Sequence, residues 1–298
     1  MSYWEGLAIT AGINVIMVLG VTVLLGFTGL FTFGHAGFVA IGAYVSALAS
    51  LKLGTPLPVS LLLGVLATVL CTLPIGFPTL RLKGEYFVVA SLGVGEIIGR
   101  LIENFDSITG GARGLPGIPV KTDLWVTLAF VALCVWLVSN FRRSKYGRNC
   151  EAIRDNEMAA SCIGINPFKY KMIALIISGA LGGLGGGLLA HYVGLLSPSM
   201  FGIARSTDMT IMVIFGGLGS ITGSVVATII LSILPEFLRF AAEWRLVFYG
   251  VAVIALMIVR PSGLFGNKEL SFDFLKRLTR RPITGVRNSG NGESSAGQ

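Results

Sequence analysis

The chain has 298 residues, of which 53% are hydrophobic and only 13% are charged. Soluble domains carry about 25% charged residues, so this composition excludes an ordinary soluble fold and predicts an all-α polytopic integral membrane protein. The net charge of +8 does not indicate a nucleic-acid partner, because the basic residues flank the apolar stretches.

The first half of the chain predicts five membrane spans. No charged residue occurs between Glu5 and Lys52, and one span needs about 20 apolar residues, so two spans share this stretch. No basic region precedes the first apolar run, which favours a first span over a removable signal peptide. The predicted spans are 7–26, 35–51, 59–79, 86–103 and 124–141.

The second half begins with the longest internal polar stretch, 142–170. A sixth span is predicted at 172–192, and an outer loop follows at 194–206. Residues 207–236 are long for one span and short for two, but GGLGS at 216–220 breaks the run. We therefore predict two short spans there, 207–217 and 220–236, and a last span at 245–260, which gives about nine transmembrane helices (8–10).

Basic residues cluster in two places, with seven Lys or Arg at 142–171 and seven more from residue 260 onward. Such clusters beside spans mark the cytoplasmic side. Placing both clusters inside requires an even number of crossings between them, which the two short spans provide. We predict an outside N-terminus, a cytoplasmic C-terminus, a transmembrane domain over 1–265, and a basic, partly disordered cytoplasmic tail over 266–298.

The inventory of catalytic motifs is almost empty. No Walker A sequence occurs, and Gly179, Gly183 and Gly187 lie four apart on one helical face, a pattern typical of close helix packing. The two histidines are far apart, and the four cysteines show no metal-site spacing. We therefore expect no bound cofactor or metal, four free thiols and no enzymatic activity.

Two ionisable residues fall inside one predicted span. Glu96 and Arg100 lie one helical turn apart, and ionisable groups in a membrane pair with each other or face a polar cavity. Two interpretations stay open: a structural ion pair, or a transport pathway that meets the charged ends of a substrate. His35, between Gly34 and Gly37, is open to a similar choice between a buried hydrogen-bonded histidine and a pathway residue.

Two glycine-rich turns resemble each other weakly. FTGLFTFG at 27–34 can be laid over FGGLGSIT at 215–222. Transporters often contain internal repeats, although glycine-rich segments also resemble one another by chance. Broken helices at these turns, with Gly217 and Gly219 in the second, would offer helix ends to a charged substrate.

The polar stretch 142–170 predicts one short helix on the cytoplasmic face. EAIRDNEMAASCIGI has helical spacing, and Gly164 followed by Pro167 would end the helix. A helix that presents Ala and Gly to solvent suits docking into a groove of another protein. The alternative is a stabilising helix without a partner.

This helix resembles the coupling helix of ATP-binding-cassette importers, which carries Glu, two Ala and a Gly shortly after. Met158 separates the Glu from the alanines, which departs from the general form and fits the branched-chain amino-acid branch. Other segments are similar to that branch, and RLKG and TGG favour its LivM-type members over the LivH-type. The matching coupling residues are Glu157, Ala159, Ala160 and Gly164. The other matching segments, over about 1–265, are FGHAGFVAIGAY, RLKGEYFVVASLGVGEII, ITGGARGLPGIP, GRNCEAIRDNEMAASCIGIN, AHYVGLLSPSMF, GGLGSITG and RPSGLFG.

The resemblance implies a permease subunit that moves Leu, Ile or Val into the cytoplasm by alternating access across a bacterial inner membrane. It implies a LivH-type permease partner, two ATPase subunits that use the ATP, and a periplasmic substrate-binding protein. The helix around Glu157 would dock on an ATPase, with Arg154 nearby. Two alternatives stay open: the same architecture carrying urea, short amides or other amino acids, and a stand-alone secondary carrier or channel.

Overall fold

The computed structural model describes residues 3–237 together with residues 250 and 254. The last predicted span, 245–260, lies outside the described residues apart from those two positions, and the predicted tail, 266–298, lies wholly outside them. The described part is built from helices, with one pair of two-residue strands. It confirms the prediction of an all-α architecture.

Every predicted span within residues 3–237 overlaps a helix. Strands β1 (Leu115–Pro116) and β2 (Leu195–Leu196) pair antiparallel and join the loops at one end of the bundle. The helices are α1 (Tyr3–Val21, continued by a π-helix over Thr22–Gly26), α2 (His35–Leu53), α3 (Leu57–Thr79), α4 (Glu85–Asn104), α5 (Asp106–Thr109), α6 (Leu124–Arg143), α7 (Lys145–Asp155), α8 (Glu157–Cys162), α9 (Pro167–Val193), α10 (Ile203–Gly216) and α11 (Ile221–Phe237).

Among the described residues, five helices are long and apolar enough to cross a membrane: α1 with its π-helix, α2, α3, α6 and α9. The helices α10 and α11 have 14 and 17 residues, fewer than the roughly 20 that a span needs. Several long apolar helices identify a multi-pass membrane protein. Nine crossings and the orientation of the termini stay predictions.

Helix α9 lies at the centre of the bundle, against α1, α2 and α3. Its glycines bring backbones together: a Cβ added at Gly42 of α2 would overlap the backbone of Gly183. A Cβ at Gly179 would lie 2.5 Å from Thr72 Oγ1. One at Gly187 would lie 2.7 Å from a methyl carbon of Leu61. The glycine face of α9 is therefore filled by α2 and α3.

The last part of the segment predicted as an outer loop, 194–206, packs into the bundle. Phe201 is buried and packs edge-to-face on Tyr44 in the middle of α2, with 6.2 Å between ring centroids. The backbone N–H of Ala36 donates to Ser206 Oγ at 2.9 Å, which satisfies one open donor at the start of α2. The loop therefore ends earlier than predicted, because α10 begins at Ile203 and its Ser206 partners a helix end inside the protein. The side of the membrane on which the loop lies stays a prediction.

The single helix predicted in the polar stretch is also wrong, because α7 and α8 are separate. Asn156 lies between them with extended backbone (φ −159°, ψ 107°). Its side-chain oxygen accepts a hydrogen bond from Ala159 N at 3.0 Å, so it caps α8 and prevents α7 from continuing. Gly164 follows α8 with φ +85°, where glycine fits without strain.

Replacing Gly183 by Leu would force a side chain against α3, because even a Cβ at Gly183 would lie 2.5 Å from Thr68 Oγ1. Overpacking costs about 1–3 kcal/mol, so we expect the apparent melting temperature to fall by roughly 2–10 °C. The measurement is the monodisperse fraction of detergent-purified protein after heating. The matched control is Gly93→Leu on α4, because a Cβ at Gly93 meets no atom within 4 Å. Equal melting of both variants would contradict the close contact.

Candidate functional site

Helix α7 is fastened to the end of α1 by Arg154. Its Nη1 donates to the carbonyl oxygen of Gly26 at 2.7 Å, a carbonyl at the open end of the π-helix. Gly29 has φ +71°, and a Cβ there would lie 3.1 Å from Arg154 Cγ. A hydrogen bond from a charged group contributes about 1.5–3 kcal/mol. Arg154 therefore joins α7 to the membrane bundle of its own chain.

Helix α8 is held to α9 by an ion pair. Lys171 Nζ lies 2.7 Å from Glu157 Oε2, and the Lys171 side chain is only 11% exposed. A buried ammonium needs a partner, so removing the Glu157 carboxylate would leave a costly charge on α9. Ala160, on the same short helix, is buried. Both residues fix where α8 lies.

The outward side of α8 carries large apolar residues. Met158 is 81% exposed and Ile163 is 76% exposed, and Ala159 and Gly164 are exposed beside them. We call these four residues the coupling face. Contiguous exposed apolar residues rimmed by polar ones mark interaction sites. The coupling face has the chemistry of a protein-docking surface.

The five residues predicted to couple this chain to an ATPase thus fall into two groups. Ala159 and Gly164 lie on the coupling face, whereas Arg154, Glu157 and Ala160 attach α7 and α8 to the bundle. Sequence reasoning did not assign Met158 and Ile163. The available signal was that both are large apolar side chains in a stretch rich in charged residues.

A cleft of about 560 Å³ separates α7 and α8 from the start of α4. We call it the α7–α8 cleft. Its charged lining residues come from four helices, α4, α7, α8 and α9, so a movement of α7 and α8 against α4 would change the shape of the cleft. These residues are Glu85, Arg154, Asp155, Glu157 and Lys171.

Glu96 and Arg100 lie on α4 but do not pair with each other. Arg100 Nη1 instead contacts Glu103 Oε2 at 2.7 Å, because a carboxylate three residues away shares the same helix face. Glu96 and Arg100 line a second cleft of about 250 Å³, between α4 and residues 198–202. We call it the α4 cleft.

His35 is fully buried between α1 and α9. Its Nδ1 lies 3.3 Å from Ser178 Oγ. Ideal Cβ positions at Gly20 and Gly182 fall 2.9 and 3.1 Å from its Cε1. The ring occupies the space that two glycines leave, which is the geometry of a buried hydrogen-bonded histidine.

Gly34 and Gly37 bring α2 against α4. A Cβ at Gly34 would overlap the carbonyl of Ser91, and one at Gly37 would lie 2.9 Å from Ile98 Cδ1. Neither position can carry a side chain without moving α4. These glycines hold α4, and with it Glu96, at a fixed position on the bundle.

The second glycine-rich turn, 215–222, lies against Gly26, the residue before the first turn. Gly217 and Gly219 adopt φ +108° and φ +90° between α10 and α11. An ideal Cβ at Gly26 would lie 3.1 Å from the nitrogen of Gly219. The carbonyl that Arg154 binds therefore belongs to a residue that precedes the first turn and packs on the second. The proposed internal repeat stays a prediction.

A buried polar chain was not recognised in the sequence. Arg205 Nη2 donates to Asn14 Oδ1 at 2.6 Å, and Asn14 Nδ2 donates to Ser232 Oγ at 3.0 Å. These contacts join α10, α1 and α11. Asn14 lies about 16 Å along α1. A polar amide within an apolar run that has no charged residue was the feature of the sequence that could have indicated this buried chain.

Residues 3–259 match the family described as branched-chain amino acid transport system, permease component. The chain is 33% identical to the high-affinity branched-chain amino acid transport system permease protein LivM of Escherichia coli, over 85% of this chain and 67% of that protein. It is 25% identical to the LivH protein of Salmonella typhimurium, over 86% and 92% of the two chains. It is 22% identical to the BraD permease protein of Pseudomonas aeruginosa, over the same shares. No solved structure matches.

Cys150 reports on the attachment of α7. It is buried, and its Sγ lies 3.8 Å from the carbonyl of Tyr170 on α9. Burial, with a smaller contribution from the charge of Glu151, raises the pKa of the Cys150 thiol to about 12. The thiol therefore stays protonated and unreactive at the mildly alkaline pH at which exposed cysteines react.

Replacing Arg154 by Ala should loosen α7 and open Cys150 to reagents. Losing the hydrogen bond to Gly26, which contributes about 1.5–3 kcal/mol, should raise the rate of maleimide labelling of Cys150 at pH 8 roughly 10- to 100-fold. The measurement uses protein whose other three cysteines are Ser. The matched control is Asp155→Asn, which alters the 70% exposed partner of Arg154 and should leave labelling near the parent rate. Parent-like labelling of Arg154→Ala would contradict the attachment.

Proposed function

This chain belongs to the family of branched-chain amino acid transport permeases, and we propose that it is a membrane subunit of an ATP-driven importer for leucine, isoleucine and valine. A LivH-type permease would form the other half of the path. The observation that carries the proposal is the coupling face, an apolar docking surface on helices attached directly to the membrane bundle.

In this proposal the chain hydrolyses no ATP itself. Two ATPase subunits bind the coupling faces of the two permeases and move them as the ATPases close on ATP. The movement passes to α1 through the Arg154 bond to Gly26 and to α9 through the Lys171–Glu157 pair. Because α9 packs backbone-to-backbone on α2, these helices move together and alternate the access of the path.

The proposal places the protein in a bacterial inner membrane, with α7, α8 and the C-terminus in the cytoplasm. A periplasmic substrate-binding protein would deliver the amino acid to the opposite end. The basic residues beside α7 support this orientation, since such clusters remain on the cytoplasmic side.

Uptake of labelled leucine into proteoliposomes tests the function. They contain this chain, its partner permease and both ATPases, with the binding protein outside. We expect uptake that requires internal ATP and that excess isoleucine or valine suppresses, because all three share an aliphatic side chain. The matched control is the same assembly with non-hydrolysable nucleotide inside.

Two outcomes would contradict the proposal in different ways. In the first, there is no leucine uptake, but a binding protein loaded with urea, an amide or another amino acid stimulates ATP hydrolysis. This result would support the same importer architecture with a different substrate. Leucine uptake by this chain alone, without ATP or partners, would indicate a secondary carrier.

A further inference from the structure

The α4 cleft has the size of a site for one small molecule. Its volume is about 250 Å³, just below the roughly 300–1,000 Å³ of pockets for drug-sized ligands. A Cβ added at Gly99 or Gly202, which both line it, meets no atom within 4 Å. The two glycines keep this space open, which packing alone does not require.

The cleft runs from the middle of α4 toward its C-terminal end. Helix α4 is the predicted span 86–103, and Glu96 lies eleven residues from its start, a rise of about 16 Å, which in that prediction is half of a hydrocarbon core about 30 Å thick. Gly95 lies against Gly34 of α2. Phe201, on the other side of the cleft, packs on Tyr44 in the middle of α2. Non-helical backbone at such depth is tolerated where it is buried or lines a polar cavity.

The charges of the cleft suit a zwitterion. Within residues 3–237, no hydrogen bond or ion pair joins Glu96 to another group, and its side chain is exposed. An ionised group at this depth needs a polar cavity or a partner. Arg100 contacts Glu103 through one nitrogen, and its guanidinium has further N–H donors. The cleft thus presents the Glu96 carboxylate one helical turn from the Arg100 guanidinium, with Glu103, the ion-pair partner of Arg100, also in its lining.

We propose that the α4 cleft binds the α-ammonium and α-carboxylate groups of the transported amino acid. Glu96 accepts the ammonium hydrogen bonds, Arg100 donates to the carboxylate, and Phe201 contacts the apolar side chain. The inference rests on the proposed function and adds the residues of this chain that touch the cargo. It also explains why the three aliphatic amino acids, which share their charged groups, would use one path.

Binding of labelled leucine to the purified transporter in nanodiscs, without the binding protein, tests the cleft. Glu96→Gln should weaken leucine binding at least about 10-fold, as loss of a charged hydrogen-bond partner does, while Glu96→Asp should retain most of it. Gly99→Val should abolish binding by filling the cleft. Its matched control is Gly93→Val on the same helix, outside the cleft, which should bind like the parent.

A second ligand separates a direct contact from a structural effect. The 2-hydroxy acid analogue of leucine lacks the ammonium group, so the parent should prefer leucine and Glu96→Gln should lose that preference. Parent-like affinity and preference in Glu96→Gln, with leucine binding intact in Gly99→Val, would overturn the proposal. If the unsubstituted transporter imports no leucine with ATP, the proposed function is contradicted. If it imports leucine but the variants bind leucine as it does, only the assignment of the α4 cleft is contradicted.

Discussion

The backbone of α9 touches that of α2 at Gly183 and Gly42, where neither residue has room for a Cβ. In a bilayer the helices gain little from leaving the lipid, so association depends on such close packing and on buried hydrogen bonds. Gly186 likewise leaves no space between itself and the carbonyl of Val39. With α2 fixed in this way, its first turn stays deep in the bundle, where it meets Ser206 and, through Gly34 and Gly37, α4.

This packing connects the two ends of the proposed mechanism. At one end, Arg154 binds the carbonyl of Gly26, and Gly26 touches the turn at Gly219. At the other end, Gly95, the residue before Glu96, packs against Gly34 and Gly37 and so holds α4 on α2. A displacement of α7 therefore reaches the α4 cleft through α1, α9 and α2, which pack on one another in that order, because packed helices move as units.

The sequence allowed prediction of features that depend on local composition. Apolar runs gave the helices, GGLGS gave the break between α10 and α11, and Gly164 gave the end of α8. The family resemblance was confirmed by the match over residues 3–259 and by the LivM relatives. Competing interactions were less predictable. Asn156 caps α8 although its surroundings have helical spacing. Arg100 pairs with Glu103 and not with Glu96, although the two carboxylates lie three and four residues from it on the same helix.

Burial on short helices was also beyond sequence reasoning. Ala159 and Ala160 are chemically identical, yet one is exposed and the other is buried, because Asn156 and the Lys171–Glu157 pair set the rotation of α8. The same reasoning explains Phe201: its neighbours Met200 and Gly202 are not buried, but Phe201 packs on Tyr44 because α10 begins inside the bundle. Such outcomes depend on residues far apart in the chain.

The most direct test of the account is a cross-linking scan of α8 in the assembled transporter. Single cysteines at positions 158, 159, 160 and 163, in a cysteine-free background, would carry a short photoreactive group. We expect cross-links to the ATPase from positions 158, 159 and 163 and none from position 160, which is buried against the bundle. Cross-links from position 160 alone, or from none of the four, would contradict the assignment of the coupling face.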